Sequence, residues 1–566
     1  MTYFLMALIA TGIGFIPIYL LREPLTTFIY GLVVVLILWP IFYFQCPSGV
    51  WMFGGYVGCV AFALLVINTV VEHVIRSARD DTRFKLGWSA CFPALACVAF
   101  SYGGCASCQC TNASKFAGLI GTVEERDWSK DLQPADPKHV ITVPPSLAKW
   151  LADKQLGSAP GAIGSQFEIS EEHLTLQLIH GELWYVGPLD FREYTTWSSS
   201  GVSPGYVMVF AEDPQRQVVV KIDEKLAFMP GAFFGHNLER HLQTHGYWTS
   251  GLAEATFEID EAGKAWWVVT VFKPTMGYAG WKVQGAVLVD PVNGATTYYA
   301  LGQVPTWVDR VIPQSFVKDY LTFRGGLGGG WWNSVWAKSN LTKPEDPTIV
   351  YGSDGEPYWV TPISSDNDND KSIVSLAYTN ARTGVTHSYR ATGGTNSAIL
   401  AAVNNVVSFR KFHGEHPSIY NVYGTLAAVV PVLGENNTFQ GVAIARLDMN
   451  EVVFGTDMAS AASEYRKKIG KTDATLPGQE SATIVREGLV DRFSFEVRGG
   501  ETTYYLHLAD ERKLFTGSSG ISQKFALTKE GDRVKVSFLD AKEEVVPLLS
   551  FESLTLIPKP ASSASK

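Results

Sequence analysis

A chain of 566 residues, 46% of them apolar and with a net charge of −9, has room for about three or four domains with cores of their own, and its acidic balance argues against a nucleic-acid binder. The average conceals two unlike regions. From Thr2 to Tyr102 nearly every residue is apolar or small, and all seven cysteines lie before Thr111, whereas the remainder has the mixed composition of water-soluble protein.

Four apolar stretches come first: Tyr3–Leu21, Leu25–Phe44, Val50–Val71 and Leu86–Tyr102. A helix rises about 1.5 Å per residue and the hydrocarbon core is about 30 Å thick, so runs of roughly twenty apolar residues are long enough to cross a bilayer. No basic segment precedes the first run, and Arg22-Glu23 leads directly into the next, which disfavours a cleaved signal peptide. The basic loop is the third, with Arg76, Arg79, Arg83 and Lys85, and the positive-inside rule places it in the cytoplasm. Four crossings then put the soluble body outside; a fourth stretch that only dips into the interface would leave it cytoplasmic. The lipid bilayer is thus the first expected partner.

Cys46, Cys59, Cys91 and Cys97 sit in or beside these stretches, where a thiol is a small packing group. Cys105, Cys108 and Cys110 form C-x-x-C-x-C, compatible with a disulfide, metal thiolates or a lipidated thiol. No second cysteine pair or nearby histidine completes a four-ligand site, so a juxtamembrane disulfide or plain thiols are expected.

Residues 111–200 read as a stalk and lead-in, with a helix at Pro145–Leu156. An internal repeat follows. Gly263-Lys-Ala-Trp266-Trp267-Val268 matches Gly355-Glu-Pro-Tyr358-Trp359-Val360, and Asp290 to Tyr299 matches Thr379 to Tyr389 through G-x-T-x-x-Y. Each copy reads as strands joined by Asp/Gly and Asn-Gly-like turns, followed by a helix; Ile399, Leu400, Val403, Val406 and Val407 share one helical face. These bound α+β module 1 at 201–322, a Gly/Trp connector at 323–344 and module 2 at 345–412. A diverged module 3 spans 413–475, with helical spacing from Met458 to Ile469.

The "D-x-x-x-G-x-x-x-x-Y" ending of Leu288 to Tyr299, after the "G-x-x-W-W-V" strand, resembles the PepSY family of small α+β modules. The resemblance covers Ala253 to Val407 and departs from the family in the long connector from Pro305 to Trp336. It implies an extracytoplasmic, non-enzymatic binding or inhibitory role.

In the connector, Trp307, Trp331, Trp332 and Trp336 accompany the glycines at 325 to 330. They are the candidate interaction patch, for a partner or a membrane interface; the alternative is packing between modules, with the glycines as hinge. Residues 480–558 show short strands at Ala482–Val485, Arg492–Val497, Thr502–Leu508, Lys524–Leu527, Arg533–Leu539 and Leu549–Leu556, a small all-β barrel resembling the OB fold. Eleven Lys/Arg against thirteen Asp/Glu from Glu480 to Lys559 give it no basic footprint. The tail, 559–566, is expected to be disordered.

Chemistry-bearing motifs are sparse. His236, Glu239, His241 and His245 form the densest histidine cluster, but H-E-x-x-H is absent; His413-Gly-Glu415-His416 is weaker. Asp366-Asn-Asp368-Asn-Asp370 begins like a calcium loop, but Lys371 stands where glycine is needed and Ala377 where the bidentate Glu belongs. No nucleophile elbow or phosphate-binding loop occurs. The fold class expected is a membrane α-helical anchor, an α+β repeat body and a small all-β barrel. The expected role is a non-enzymatic scaffold or binding component of an envelope-associated assembly, without cofactor, metal or catalytic residues, with protein partners or further copies of itself. The alternatives are a metal-assisted envelope hydrolase using His236 to His245, and a membrane-tethered nucleic-acid-handling protein.

Overall fold

Uncharged runs of leucine, isoleucine, valine and phenylalanine make helices that are apolar all round, and among the described residues two such helices, α1 (Thr2–Gly14) and α2 (Pro24–Gln45), precede a third, α3 (Tyr56–Ala78), that is apolar until its last turns. The computed structural model describes residues 2–15, 24–48, 56–78, 104–136, 139–158, 163–367, 369–472, 483–498, 501–518, 521–539 and 545–555. The fourth apolar stretch with Cys91 and Cys97, the basic residues Arg79, Arg83 and Lys85, Asp368, and the tail from 559 lie outside the described residues.

Among the described residues, α2 is the one helix long and apolar enough to cross a bilayer; its stretch Phe28–Gln45 has mean hydropathy 2.0, and 11% of it is buried. α1 and the apolar part of α3, Gly58–Val71, are shorter. Four full crossings therefore exceed what the described helices carry. α1 is described for 13 residues, about 20 Å of rise, and the last turns of α3 contain Glu72, His73 and Arg76. Ala7 and Ala10 let α1 approach its neighbours closely: with Tyr3 and Met6 they bury against Val35 and Phe42 of α2 and Ala61 of α3.

After the helices the chain is mixed α+β and forms two compact units. The first contains α1 to α3 and three antiparallel meanders. The earliest runs Thr175–Ile179, Glu182–Pro188, Tyr206–Phe210, Val219–Lys221. The next runs Gly251–Ile259, Ala265–Met276, Ala279–Val289, Thr296–Ala300. The third runs Thr348–Tyr351, Pro357–Ser365, Ser372–Asn380, Thr386–Gly394. Val123–Arg126 extends this last sheet, parallel to Thr386–Tyr389, and Thr342–Pro344 pairs with Ile363–Ser365.

The repeat seen in sequence has a common hydrogen-bond pattern. Asp290 N donates to Ala295 O at 2.9 Å and Gly294 N to Asp290 O at 2.8 Å; Asn380 N to Val385 O and Gly384 N to Asn380 O repeat both distances. Gly294 and Gly384 have φ of 73° and 76°, the left-handed region that glycine enters without steric cost. Just after each third strand one carbonyl accepts two consecutive N–H groups from a segment upstream of the meander. Ala211 O takes Thr142 and Val143, Pro291 O takes Ala227 and Phe228, and Ala381 O takes Val311 and Ile312. The two aligned tryptophans complete the tie: Trp267 Nε1 donates to Phe228 O and Trp359 Nε1 to Ile312 O, both at 2.9 Å.

This tie changes the phase of the repeat. The segment before a helix is bonded to the meander after it, so the unit is tie, helix, strands, rather than strands followed by their helix. The helices are Pro145–Ser158, Leu238–Leu242 and Gln314–Leu327. The last touches both neighbouring sheets: Phe316 packs on Phe272 of the second meander, and Gly325 lies against the Thr342 carbonyl at the edge of the third. The expected stalk is likewise corrected, because 139–221 supplies a complete helix-and-meander unit.

The second unit has its own meander, Ser418–Val422, Thr425–Leu433, Phe439–Arg446, Val452–Gly455, with His413–Gly414 also on the second strand. The helix Met458–Thr472 follows, and its Tyr465 hydroxyl lies 2.8 Å from Thr425 Oγ1. Five strands then pair in a closed circuit. Thr483–Arg498 pairs with Glu501–Leu508 and with Arg533–Leu539, Leu514–Ser518 with Glu501–Leu508, and Val545–Ser553 with the third and fourth strands. Lys524–Leu527, expected as a strand, belongs to a 3-10 turn, Gln523–Leu527, whose Phe525 fills the interior with Leu506, Phe515 and Val536.

Candidate functional site

The glycines after Arg324 end the helix Gln314–Leu327 with almost no side chain, and space opens between this end and the third meander. The result is a cleft of about 480 Å³ lined by Arg324, Gly325, Asn333, Thr342, Ser375 and Ser388 among others. Beside it the chain makes a π-helical turn, Asn333–Ala337, held by one side chain. Asn333 Nδ2 donates to Ser339 O at 2.9 Å, Ser339 N donates to Asn333 Oδ1 at 3.1 Å, and Lys338 N donates to Asn333 O at 2.7 Å.

That turn brings three of the four candidate tryptophans together. Trp332 and Trp336 stack with ring centroids 4.1 Å apart and planes 12° from parallel, and Trp331 meets Trp332 edge-on at 4.7 Å. Trp332 and Trp336 are 60% and 70% exposed, so packing between modules does not account for them. Trp307 is elsewhere, near Trp266 at 6.3 Å, its carbonyl accepting from Gln177 Nε2. Of the four candidates, Trp331, Trp332 and Trp336 therefore lie together and Trp307 lies apart.

A second polar constellation, which sequence reading missed, lies buried between the three meanders. Glu258 accepts from Asp309 N at 2.8 Å and Thr256 Oγ1 at 2.8 Å. Asp309 accepts from Leu178 N, from the Tyr351 hydroxyl at 2.8 Å and from Arg382 Nη2 at 3.2 Å. Arg382 also reaches Glu356 at 2.7 Å and Val308 O at 2.8 Å. Burial, then the charge of Asp309, pushes Glu258 up to about 7, and burial pushes Asp309 up to about 6 against its bonds to Leu178, Tyr351 and Arg382. These residues are a buried staple joining strands from all three sheets. The Asp in Pro305-Thr-Trp307-Val-Asp309-Arg310 was visible in sequence, but its partners are 42 to 131 residues away.

The histidine cluster is engaged internally. His241 Nε2 donates to Gly294 O at 2.7 Å, His245 Nδ1 donates to His241 O at 2.7 Å, and Phe228 lies against His241 at 4.4 Å. Glu239 accepts from Gln243 and is raised by burial. Cys108 caps the helix Gln109–Ala117, its Sγ 2.6 Å from Cys110 Sγ; hydrogen bonding from Cys110 holds its thiol below the ordinary range. In the loop at Asp366, Asp370 accepts from Ser365 and Ser372. His413 lies 3.4 Å from Glu415. Among the described residues no three His, Cys, Asp or Glu side chains converge as a metal site.

No family model and no curated protein matches the chain. Among solved structures, a protein of unknown function from Dyadobacter fermentans is 9% identical over 68% of this chain and 93% of that chain. Its TM-score of 0.17 is too low to carry fold or function from one chain to the other.

Proposed function

We propose that the chain is a membrane-anchored, non-enzymatic binding protein whose modular body presents the Trp331–Trp332–Trp336 turn and its adjoining cleft to a partner. One observation carries the anchor: α2 leaves Phe28, Ile29, Leu32, Leu36, Ile37 and Phe44 between 45% and 69% exposed along one apolar helix, a surface that water does not stabilise and hydrocarbon does. Four crossings and an extracytoplasmic body are the fuller form of this reading. Carbonate extraction should leave the full-length chain in the membrane pellet, and protease added to spheroplasts should digest the body; release into the supernatant would remove the anchor, and protection would reverse the sidedness.

For the binding role, the stacked pair on a turn locked by Asn333 is rigid before any partner arrives, so little conformational entropy is lost on contact. The cleft beside it combines apolar wall from Val123, Leu321 and Ile363 with hydroxyls, amides and the Arg324 guanidinium. A photo-crosslinker at Val335, itself 42% exposed, is expected to give a discrete adduct in cells that disappears with Trp332→Ala plus Trp336→Ala. Stability should change by no more than about 0.5 kcal/mol in that variant. An adduct that persists in the variant, or none in wild type, would count against the site.

The strand order of the closed sheet, first–second–third–fifth–fourth, with third and fifth parallel and a short helix between third and fourth, supports the OB-like reading. With acidic residues outnumbering basic ones there, a protein or glycan ligand fits better than nucleic acid.

A further inference from the structure

The C-terminal end of α2 is gripped by one short segment of the body. Arg240 Nε donates to the Tyr43 carbonyl at 3.0 Å, its guanidinium lies 4.7 Å from the Tyr43 ring centre, and its Nη1 donates to Phe234 O at 2.7 Å. The Tyr3 hydroxyl donates to Gln243 Oε1 at 3.1 Å, and Gln243 Nε2 donates to Cys46 O at 3.0 Å. Bonds from both α1 and the end of α2 thus fix the depth of residues 234–243 relative to the helix.

Beside this clamp is a continuous aromatic cluster. Phe44 meets Phe234 at 6.4 Å between ring centres, Trp197 meets Phe234 at 5.6 Å, and Tyr194 meets Phe233 at 5.0 Å. It does not face a core: Phe44, Tyr194, Phe233 and Phe234 are 66%, 48%, 36% and 40% exposed, and the helix Tyr194–Ser200 buries none of its residues. Trp197 is half-buried beneath these rings, and its indole N–H is buried with no hydrogen-bond partner among the described residues. Charge is not what the cluster offers, since Arg240 is engaged by carbonyls and Arg192 lies 3.9 Å from Glu168.

A helix that crosses a bilayer ends at the headgroups, so side chains locked to its end lie at that depth, where amphipathic aromatic rings partition best. We propose that Tyr194, Trp197, Phe233 and Phe234 form an interfacial collar that inserts into the acyl–headgroup boundary of the bilayer around the end of α2. The inference rests on the reading that α2 spans the membrane. It goes further, because it names the face of the body that lies on lipid.

Bromine quenching of tryptophan fluorescence tests it on the full-length chain in phosphatidylcholine nanodiscs. The contribution of Trp197 is wild type minus Trp197→Phe, and that of Trp39, within α2, is wild type minus Trp39→Phe. Trp197 is expected to be quenched, more by bromines near the headgroups than by bromines deep in the chains. Quenching of Trp39 without Trp197 would overturn the collar and leave the anchor standing, whereas quenching of neither would overturn both. Should Trp197→Phe fail to fold, Phe233→Trp reads the same position as an added signal: quenching of the added tryptophan would support the collar, and its absence beside a quenched Trp39 would overturn it.

Discussion

Alanine in place of Arg382 is expected to destabilise the body by about 3–5 kcal/mol, the range found when one partner of a buried charged network is removed. The guanidinium is the cation bonded to Asp309, and it bonds Glu356 and the Val308 carbonyl as well, so its loss strands a carboxylate inside the staple. Thermal unfolding of the full-length chain in detergent, followed by near-UV circular dichroism, measures the loss. The same staple makes stability depend on pH in a direction unusual for carboxylates. With Glu258 held up to about 7 and Asp309 to about 6, the folded chain retains protons that the unfolded chain releases nearer its ordinary values of 4.5 and 3.8. The folded state therefore binds more protons between those limits, and this contribution is full below the ordinary values and lost as pH rises through about 7. Glu258→Gln keeps an acceptor for Asp309 N and an amide that donates to the Thr256 hydroxyl, so the melting temperature should fall less steeply with pH over that window. An unchanged slope would place the titrating group elsewhere.

Trp359→Ala should cost a comparable amount, about 3–5 kcal/mol, from a large cavity in a well-packed core. The side chain is 3% exposed and bonds the Ile312 carbonyl. Trp359→Phe keeps one ring in the core but drops this bond, part of the packed area and part of the surface under Arg310, so it should cost less than alanine while still costing stability. Trp267→Ala should behave alike, because its indole is fully buried and holds the Phe228 carbonyl, in the tie segment of its own unit. Urea unfolding midpoints of these three variants, the Trp332→Ala plus Trp336→Ala protein and wild type decide the order. A Trp267 or Trp359 alanine variant as stable as the exposed pair Trp332→Ala plus Trp336→Ala would refute the role given to the ties.

What the sequence made legible was whatever depends on neighbours along the chain. Ala461, Ala462, Tyr465 and Ile469 at helical spacing became the buried face of Met458–Thr472, and the Asn-Gly and Thr-Gly turns carry the φ that only glycine adopts freely. The hairpin at His180-Gly181 was overlooked because it lacks Asn-Gly or Asp-Gly, yet both residues take positive φ, at 52° and 82°, and join Thr175–Ile179 to Glu182–Pro188. Likewise Ala482–Val485 and Arg492–Val497 read in sequence as two strands, whereas Thr483–Arg498 is one strand that shifts register between Val490 and Arg492, since a bulge interrupts the pattern without ending the element. At the candidate site, the exposed tryptophans could be found from their glycine-rich setting, but Trp307 could not be separated from them. Its place is set by Gln177, 130 residues earlier, which no local pattern encodes.

The pairing of Val123 with Thr386 spans about 260 residues, and the intervening chain contains two complete meanders and most of a third. During synthesis this short strand is made early, directly after the apolar helices, and must wait exposed until its neighbour emerges from the ribosome. Folding of the third sheet is thereby bound to late translation, so truncated chains ending before Thr386 would carry an unpaired strand, ready to be recognised by chaperones or proteases.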